Sequence, residues 1–276
     1  MSGCSIVRPT EPANRLKKVE FENNPVDTML MFQYSDTTRN AYLKKLRADY
    51  GLDSMVSNYT FELDKIKAIL AWSHQRWTHN GFNTPTVSDP LTILREAKDG
   101  KSFRCVEYGI VASAALSSIG IPSRVLSLKT ADVKRVKYGA GHVAAEAYSK
   151  EYKKWIFIDA QFNAIPVLNN VPLNSVELQH AITQNWDALK IINNDGELAK
   201  EDQEEFINWI GKFLYFMDIN FNNRHEFSGN QQLVNGKKSL MLVPVKAKNP
   251  TVFQRKYPID YCLYTNNLND FYQTPN

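Results

Sequence analysis

The sequence is poor in cysteine, in long apolar runs and in charge of one sign. Its 3 cysteines, Cys4, Cys105 and Cys262, are too few and too scattered for a disulfide framework, and no Cys-x-x-Cys pair opens a zinc site. No stretch of about 18 apolar residues occurs, so no transmembrane helix is expected, and the first residues lack the charged and apolar regions of a complete signal peptide. The 33 basic and 29 acidic residues nearly cancel, and no block of five basic residues marks a nucleic-acid arm, so no nucleic-acid partner is expected. Internal repeats and Gly/Ser linkers are missing too, which argues against a solenoid or a string of domains.

What is there is core-forming material. With 14 Phe, 13 Tyr and 5 Trp among 276 residues, 43% of them hydrophobic, the chain can bury a sizeable interior, which excludes disorder. A polar N-terminal tether over 1–24, with Pro9 and Pro12, is expected ahead of a single domain over 25–276. The run Met1-Ser2-Gly3-Cys4-Ser5 resembles the end of a bacterial lipoprotein signal, with small residues before an acylated cysteine. On that reading Cys4 is a lipid attachment point and membrane tether, and the protein sits at the bacterial cell envelope; the other reading is a chance tetrapeptide.

Periodicity places the elements. Asp36-Thr37-Thr38 reads as a cap for a helix over 39–50 that Gly51 stops, and Phe61 to His79 has helical spacing closed by Asn80-Gly81. Residues 81–103 read as a loop with a helical turn around Leu91 to Ala97. From Cys105, the apolar residues Val106, Ile110, Val111, Ala114, Ala115 and Ile119 make one face of a helix that Gly120 and Pro122 end. Cys105 therefore falls at a helix start, where unpaired N–H groups favour a thiolate and can bind an oxyanion, and Arg104 adds positive charge. A small Cys beginning an Ala-rich packed helix would look the same.

The following segment discriminates between these readings. Residues 141–148 and 155–159 alternate like half-buried strands, with the polar run Ser149 to Lys154 as their turn. A hairpin centred between Lys150 and Glu151 pairs 146 with 155, 144 with 157 and 142 with 159, making His142 and Asp159 direct cross-strand neighbours. A histidine oriented by a carboxylate through one nitrogen leaves the other free for a thiol proton, which is what a cysteine nucleophile needs. A core His–Asp hydrogen bond without chemistry is the bland alternative.

These residues resemble the transglutaminase-like superfamily across about 60–165. The resemblance is carried by Phe103-Arg104-Cys105-Val106-Glu107-Tyr108, by Ser118 to Val125, by Gly141 to Tyr148 and by Trp155 to Ala160. It implies a papain-like α+β fold, a nucleophile helix packed on an antiparallel sheet, with residues 166–276 as an elaboration. It further implies Cys105 as nucleophile, His142 as general base and Asp159 as its orienter, in hydrolysis or acyl transfer at an amide of a peptide, glycopeptide or cell-wall substrate. Some relatives complete the oxyanion site from the preceding helix, for which Trp77, Trp72 and Gln75 are candidates and Trp77 is preferred. Phe103, where relatives carry a small residue, would narrow the approach to the thiol. A binding module that kept the fold without the chemistry is the alternative.

No metal or other cofactor is expected. His74 and His79 are five apart with no acid or cysteine suitably spaced from both, and Asp187 to Asp202 lacks the order of a calcium loop. In the second half, Asn174-Ser175 reads as the cap of a helix over 176–189, and a second helix is expected over 197–217, its aromatic stripe serving packing. Strands are expected over 240–245 and 257–264, extending the sheet or walling the cleft; Cys262 lies in the latter as a bystander.

Overall fold

The computed structural model describes residues 16–35, 40–225 and 233–275. Five helices come first: α1 (Ala41–Asp49), α2 (Leu52–Val56), α3 (Glu62–His74), α4 (Pro90–Lys98) and α5 (Cys105–Ser118). Strands β1 (Ser123–Lys129), β2 (Gly141–Ser149), β3 (Lys154–Ile158), β4 (Ile165–Leu168) and β5 (Val171–Pro172) follow, then α6 (Ser175–Gln184), β6 (Leu189–Asn193), β7 (Gly196–Glu197) and α7 (Lys200–Ile210). The chain closes with β8 (Phe216–Asn220), β9 (Ser239–Leu242), β10 (Val252–Phe253), β11 (Tyr257–Pro258), β12 (Cys262–Thr265) and α8 (Leu268–Phe271).

The architecture is α+β. Six strands form the main sheet in the order β12-β9-β8-β1-β2-β3, antiparallel except for the β12–β9 pair at one edge. The C-terminal residues thus extend the sheet, as expected from their pattern. Both faces are covered. Ala145, Ala147, Ile156 and Ile158 face the cluster built by α1 to α5, while Leu126, Leu128, Ala144 and Phe157 face a second cluster with α6, α7 and β8. Period-2 alternation therefore separates two cores, and the half-exposed strands expected from the sequence are buried on both sides.

Tertiary contacts trimmed several helices. The first is capped by Asn40, whose side chain accepts from Leu43 N; the expected Asp36-Thr37-Thr38 cap lies outside the described residues. Helix α3 stops at His74, five residues early, because Trp77 leaves the helical path to stack on Tyr108, with ring centres 4.4 Å apart. The loop around Leu91 holds a full helix, started by the Asp89 side chain accepting from Thr92 N. Helix α6 ends at Gln184 because Leu189 pairs with Leu168 in a second sheet, and the expected helix over 197–217 gives way after Ile210 to a 3₁₀ turn and strand β8. Residues 16–24 of the expected tether lie against the body: Val19 is buried, its N–H donates to Gln179 Oε1, and Glu22 N donates to Asn266 O. Cys4 lies outside the described residues.

Candidate active site

Cys105 is the first residue of α5, partly exposed, with Arg104 as the extended residue before it. Glu107, fully buried, accepts from the Arg104 backbone N–H at 3.1 Å and pairs with its guanidinium at 2.7 Å. One carboxylate thus caps the helix and fixes Arg104 next to the thiol. The Glu107 bond raises the Arg104 pKa against partial burial, and the Cys105 charge raises it further. The helix packs tightly on the sheet. A Cβ at Gly109, one turn past the cysteine, would lie 2.8 Å from Ala144 O and 2.9 Å from Val143 Cγ1. That close approach brings the start of α5 to the strand carrying His142.

His142 and Asp159 meet, though by a different register from the one the turn suggested. Observed pairs are Ala145 with Ile158, Glu146 with Phe157 and Tyr148 with Trp155, so the turn is centred between Glu151 and Tyr152. Lys153, with φ 53°, takes the left-handed conformation that closes this longer turn. The register is displaced by two residues, which preserves the face, and Asp159 becomes a diagonal rather than a direct neighbour. It still reaches: His142 Nε2 to Asp159 Oδ2 is 2.7 Å. The other carboxylate oxygen, Oδ1, accepts from Gln161 N and Phe162 N at 3.0 and 3.3 Å, so the acid is held by its own turn. Nδ1 is then the nitrogen left free, and Cys105 is near enough to act on the His142 charge. Burial opposes the imidazolium, but the charge and hydrogen bond of Asp159, aided by Cys105, overcome it and raise the pKa from 6.5 to about 9. His142 is therefore protonated at neutral pH.

Three further residues hold the site. His74 Nδ1 faces the carbonyls of Ala160 and Gln161, each at 3.1 Å, which makes it the donor and ties α3 to the turn of Asp159. Tyr108 donates to Trp77 O at 2.5 Å, and Asn80 N donates to Phe103 O at 2.8 Å, clasping the segment after α3 to the start of α5. Burial and the charge of nearby His142 lower the pKa of His79, which lies on that segment. Phe103 does not narrow the cleft: it is fully buried, edge-on to Trp77 at 5.6 Å. Trp77 is buried, and among the described residues its indole N–H has no hydrogen-bond acceptor. Trp72 packs against Tyr50 at 5.7 Å, and Gln75 is exposed.

The aromatic stripe of residues 206–213 packs as expected, with Phe206, Ile210 and Phe213 in the core, and it also covers the histidine, a place its spacing does not reveal. Trp209 stands edge-on to the imidazole at 4.5 Å and 84°, and Phe213 lies at 5.8 Å. Phe162, from the turn of Asp159, stacks on Trp209 at 4.6 Å. The signal available was the stripe itself, but its partner was invisible without the fold. Cys262 is different in kind: buried, with burial first and Asp218 second pushing its thiol well above the ordinary range.

A sequence model described as the transglutaminase-like superfamily matches residues 52–160, which contain Cys105, His142 and Asp159. Among solved structures, the chain is similar to a candidate cysteine protease from Cytophaga hutchinsonii, at 19% identity and TM-score 0.35 over 51% of this chain and 46% of that one. It is also similar to red sea bream transglutaminase, at 14% identity and TM-score 0.28 over 43% of this chain and 25% of that one. A third is Nocardia farcinica arylamine N-acetyltransferase, at 11% identity and TM-score 0.29 over 72% of this chain and 79% of that one. The match thus spans less than half of the first of these chains. No curated protein matches the sequence significantly.

Proposed function

We propose that the protein is a cysteine-nucleophile amidase or peptidase of the transglutaminase-like kind, acting through Cys105, His142 and Asp159. The observation that carries this reading is His142, bound by Asp159 at 2.7 Å through Nε2, its pKa raised further by neighbouring Cys105 at the start of a helix. The Cys105 thiolate attacks the amide carbonyl carbon, and the developing oxyanion is met by N–H groups at the start of α5 and by the Trp77 indole N–H, whose lack of a partner supports that role. As the C–N bond breaks, the His142 imidazolium gives its Nδ1 proton to the departing amine, leaving a thioester on Cys105. Neutral His142 then takes a proton from water, whose oxygen attacks the thioester and releases the acid. An amine in place of water gives transamidation.

The test is to trap the thioester. Incubation of the full chain with a peptide-amide library, quenching in acid and intact mass measurement should show an acyl adduct on Cys105 that hydroxylamine removes. Cys105→Ala should show neither adduct nor turnover. Turnover that survives Cys105→Ala would contradict the proposal.

A further inference from the structure

Two segments fastened together lie against the start of β2: the loop 130–140 between β1 and β2, and the β10–β11 hairpin. Gln254 N donates to Val133 O at 2.8 Å, and the Arg255 guanidinium donates to Arg135 O. The Gln254 side-chain oxygen, turned toward its donors, accepts from Gly139 N and Ala140 N at 2.9 and 3.0 Å. Val133, Ala140, Val136, Ala247 and Phe253 share one apolar cluster beneath. Phe253 lies so close to Gly141, the residue before His142, that a Cβ there would come within 2.9 Å of its ring.

The outer surface of these segments is basic. Lys134, Arg135 and Lys137 are exposed on the loop, and Lys246, Lys248, Arg255 and Lys256 on and before the hairpin. Among the described residues none of these pairs with a carboxylate. The single acid in residues 130–140 and 246–257, Asp132, accepts from Thr130 Oγ1 at 2.6 Å. Removing these seven bases and one acid from the chain totals of 33 and 29 leaves 26 bases against 28 acids, so the positive charge of the whole protein resides here. Tyr138 and Tyr257, 80% and 52% exposed, stand among the cations.

We propose that this face is the docking surface for an acidic polypeptide segment of the substrate, adjoining the amide that enters the cleft. The inference rests on the amide chemistry proposed above. It favours a polypeptide because seven cations without carboxylate partners and two exposed tyrosines complement an acidic chain, and Phe253 fastens this surface to Gly141, the residue before His142. A nucleic acid has no amide in its backbone, and a glycerophospholipid bilayer offers none.

The experiment uses the full chain and a fluorescein-labelled oligoglutamate peptide, followed by anisotropy. Raising salt from about 0.05 to about 0.5 M should weaken binding at least about tenfold, because the screening length falls well below the spacing of separated charges. The triple variant Lys134→Glu/Arg135→Glu/Lys137→Glu should also lose about tenfold or more, while Lys44→Glu/Lys98→Glu/Lys150→Glu, an equal charge change elsewhere, should stay within about twofold. Lys246→Gln/Lys248→Gln provides a milder second variant should the triple fail to fold, with a loss of about threefold expected. Absence of salt-sensitive binding, equal loss in both triples, or capture by phosphatidylserine vesicles with none by oligoglutamate would overturn the surface. Cys105 alkylation in the same samples separates the two claims. Reactive Cys105 without peptide binding overturns the surface alone, and peptide binding with unreactive Cys105 overturns the thiol chemistry alone.

Discussion

Replacing Asp159 by Asn removes the charge that keeps His142 protonated. Burial works against the imidazolium, and the Asp159 carboxylate, with a smaller contribution from Cys105, overcomes it to give a pKa of about 9. With both partners gone, only burial acts, and the value falls below its ordinary 6.5. The drop of more than about two pH units corresponds to about 3 kcal/mol of coupling, most of it from Asp159. The assay is an NMR titration of the His142 ring in Cys105→Ala and in Cys105→Ala/Asp159→Asn. The first should titrate above 6.5 and the second below it. Titration of both within about half a pH unit of each other would refute the electrostatic argument. Stability follows with a definite sign. Because the folded pKa is raised, the added stability is fully present below about 6.5 and is lost as pH rises through about 9. Urea unfolding of the native sequence should therefore weaken by up to about 3 kcal/mol across that window, and Asp159→Asn should lack the slope.

Other perturbations read the scaffold. Gly109→Ala places a methyl 2.8 Å from a backbone carbonyl of β2, which cannot move cheaply, so urea unfolding should show a loss of about 2 kcal/mol and Cys105 alkylation should slow. Trp209→Ala uncovers the imidazole that it now meets at 4.5 Å; kcat should fall about tenfold with little change in KM, and Trp209→Phe should restore most of it. Arg124 and Glu146 form a fully buried ion pair at 2.6 Å, with Arg124 also donating to Phe271 O at 2.8 Å. Arg124→Ala should therefore cost about 3–5 kcal/mol in urea unfolding by leaving the carboxylate unpaired, and Arg124→Met/Glu146→Leu should cost far less.

The site was legible in the sequence where local rules act. Helix start signals placed Cys105 at the first turn, and strand alternation put His142 and Asp159 on one face, a result that survives a register displaced by two because the side-chain period is two. Turn length was the part that alternation could not supply, since it depends on Lys153 adopting φ 53°. Helix ends differ from expectation for a related reason: Trp77 and Met217 have helical spacing, but one is drawn onto Tyr108 and the other into the main sheet. The least legible feature was the aromatic cover of His142, because Trp209 is 67 residues away in sequence and meets the ring only through the packing of α7 on the sheet. The basic face was equally hidden, assembled from segments more than a hundred residues apart that share no run of charge.

Cys105 is proposed to be an activated thiol paired with His142. The most direct test is the iodoacetamide alkylation rate of Cys105 and Cys262 in the same native molecules, read by peptide mass spectrometry at pH 5–10. Cys105 should react quickly at neutral pH, its rate changing near pH 9 as His142 loses its proton, and His142→Ala should slow it at neutral pH. Cys262, buried and with its thiol pushed up, should stay unmodified until the protein unfolds. Equal, slow labelling of both cysteines, or a Cys105 rate indifferent to His142→Ala, would contradict the account.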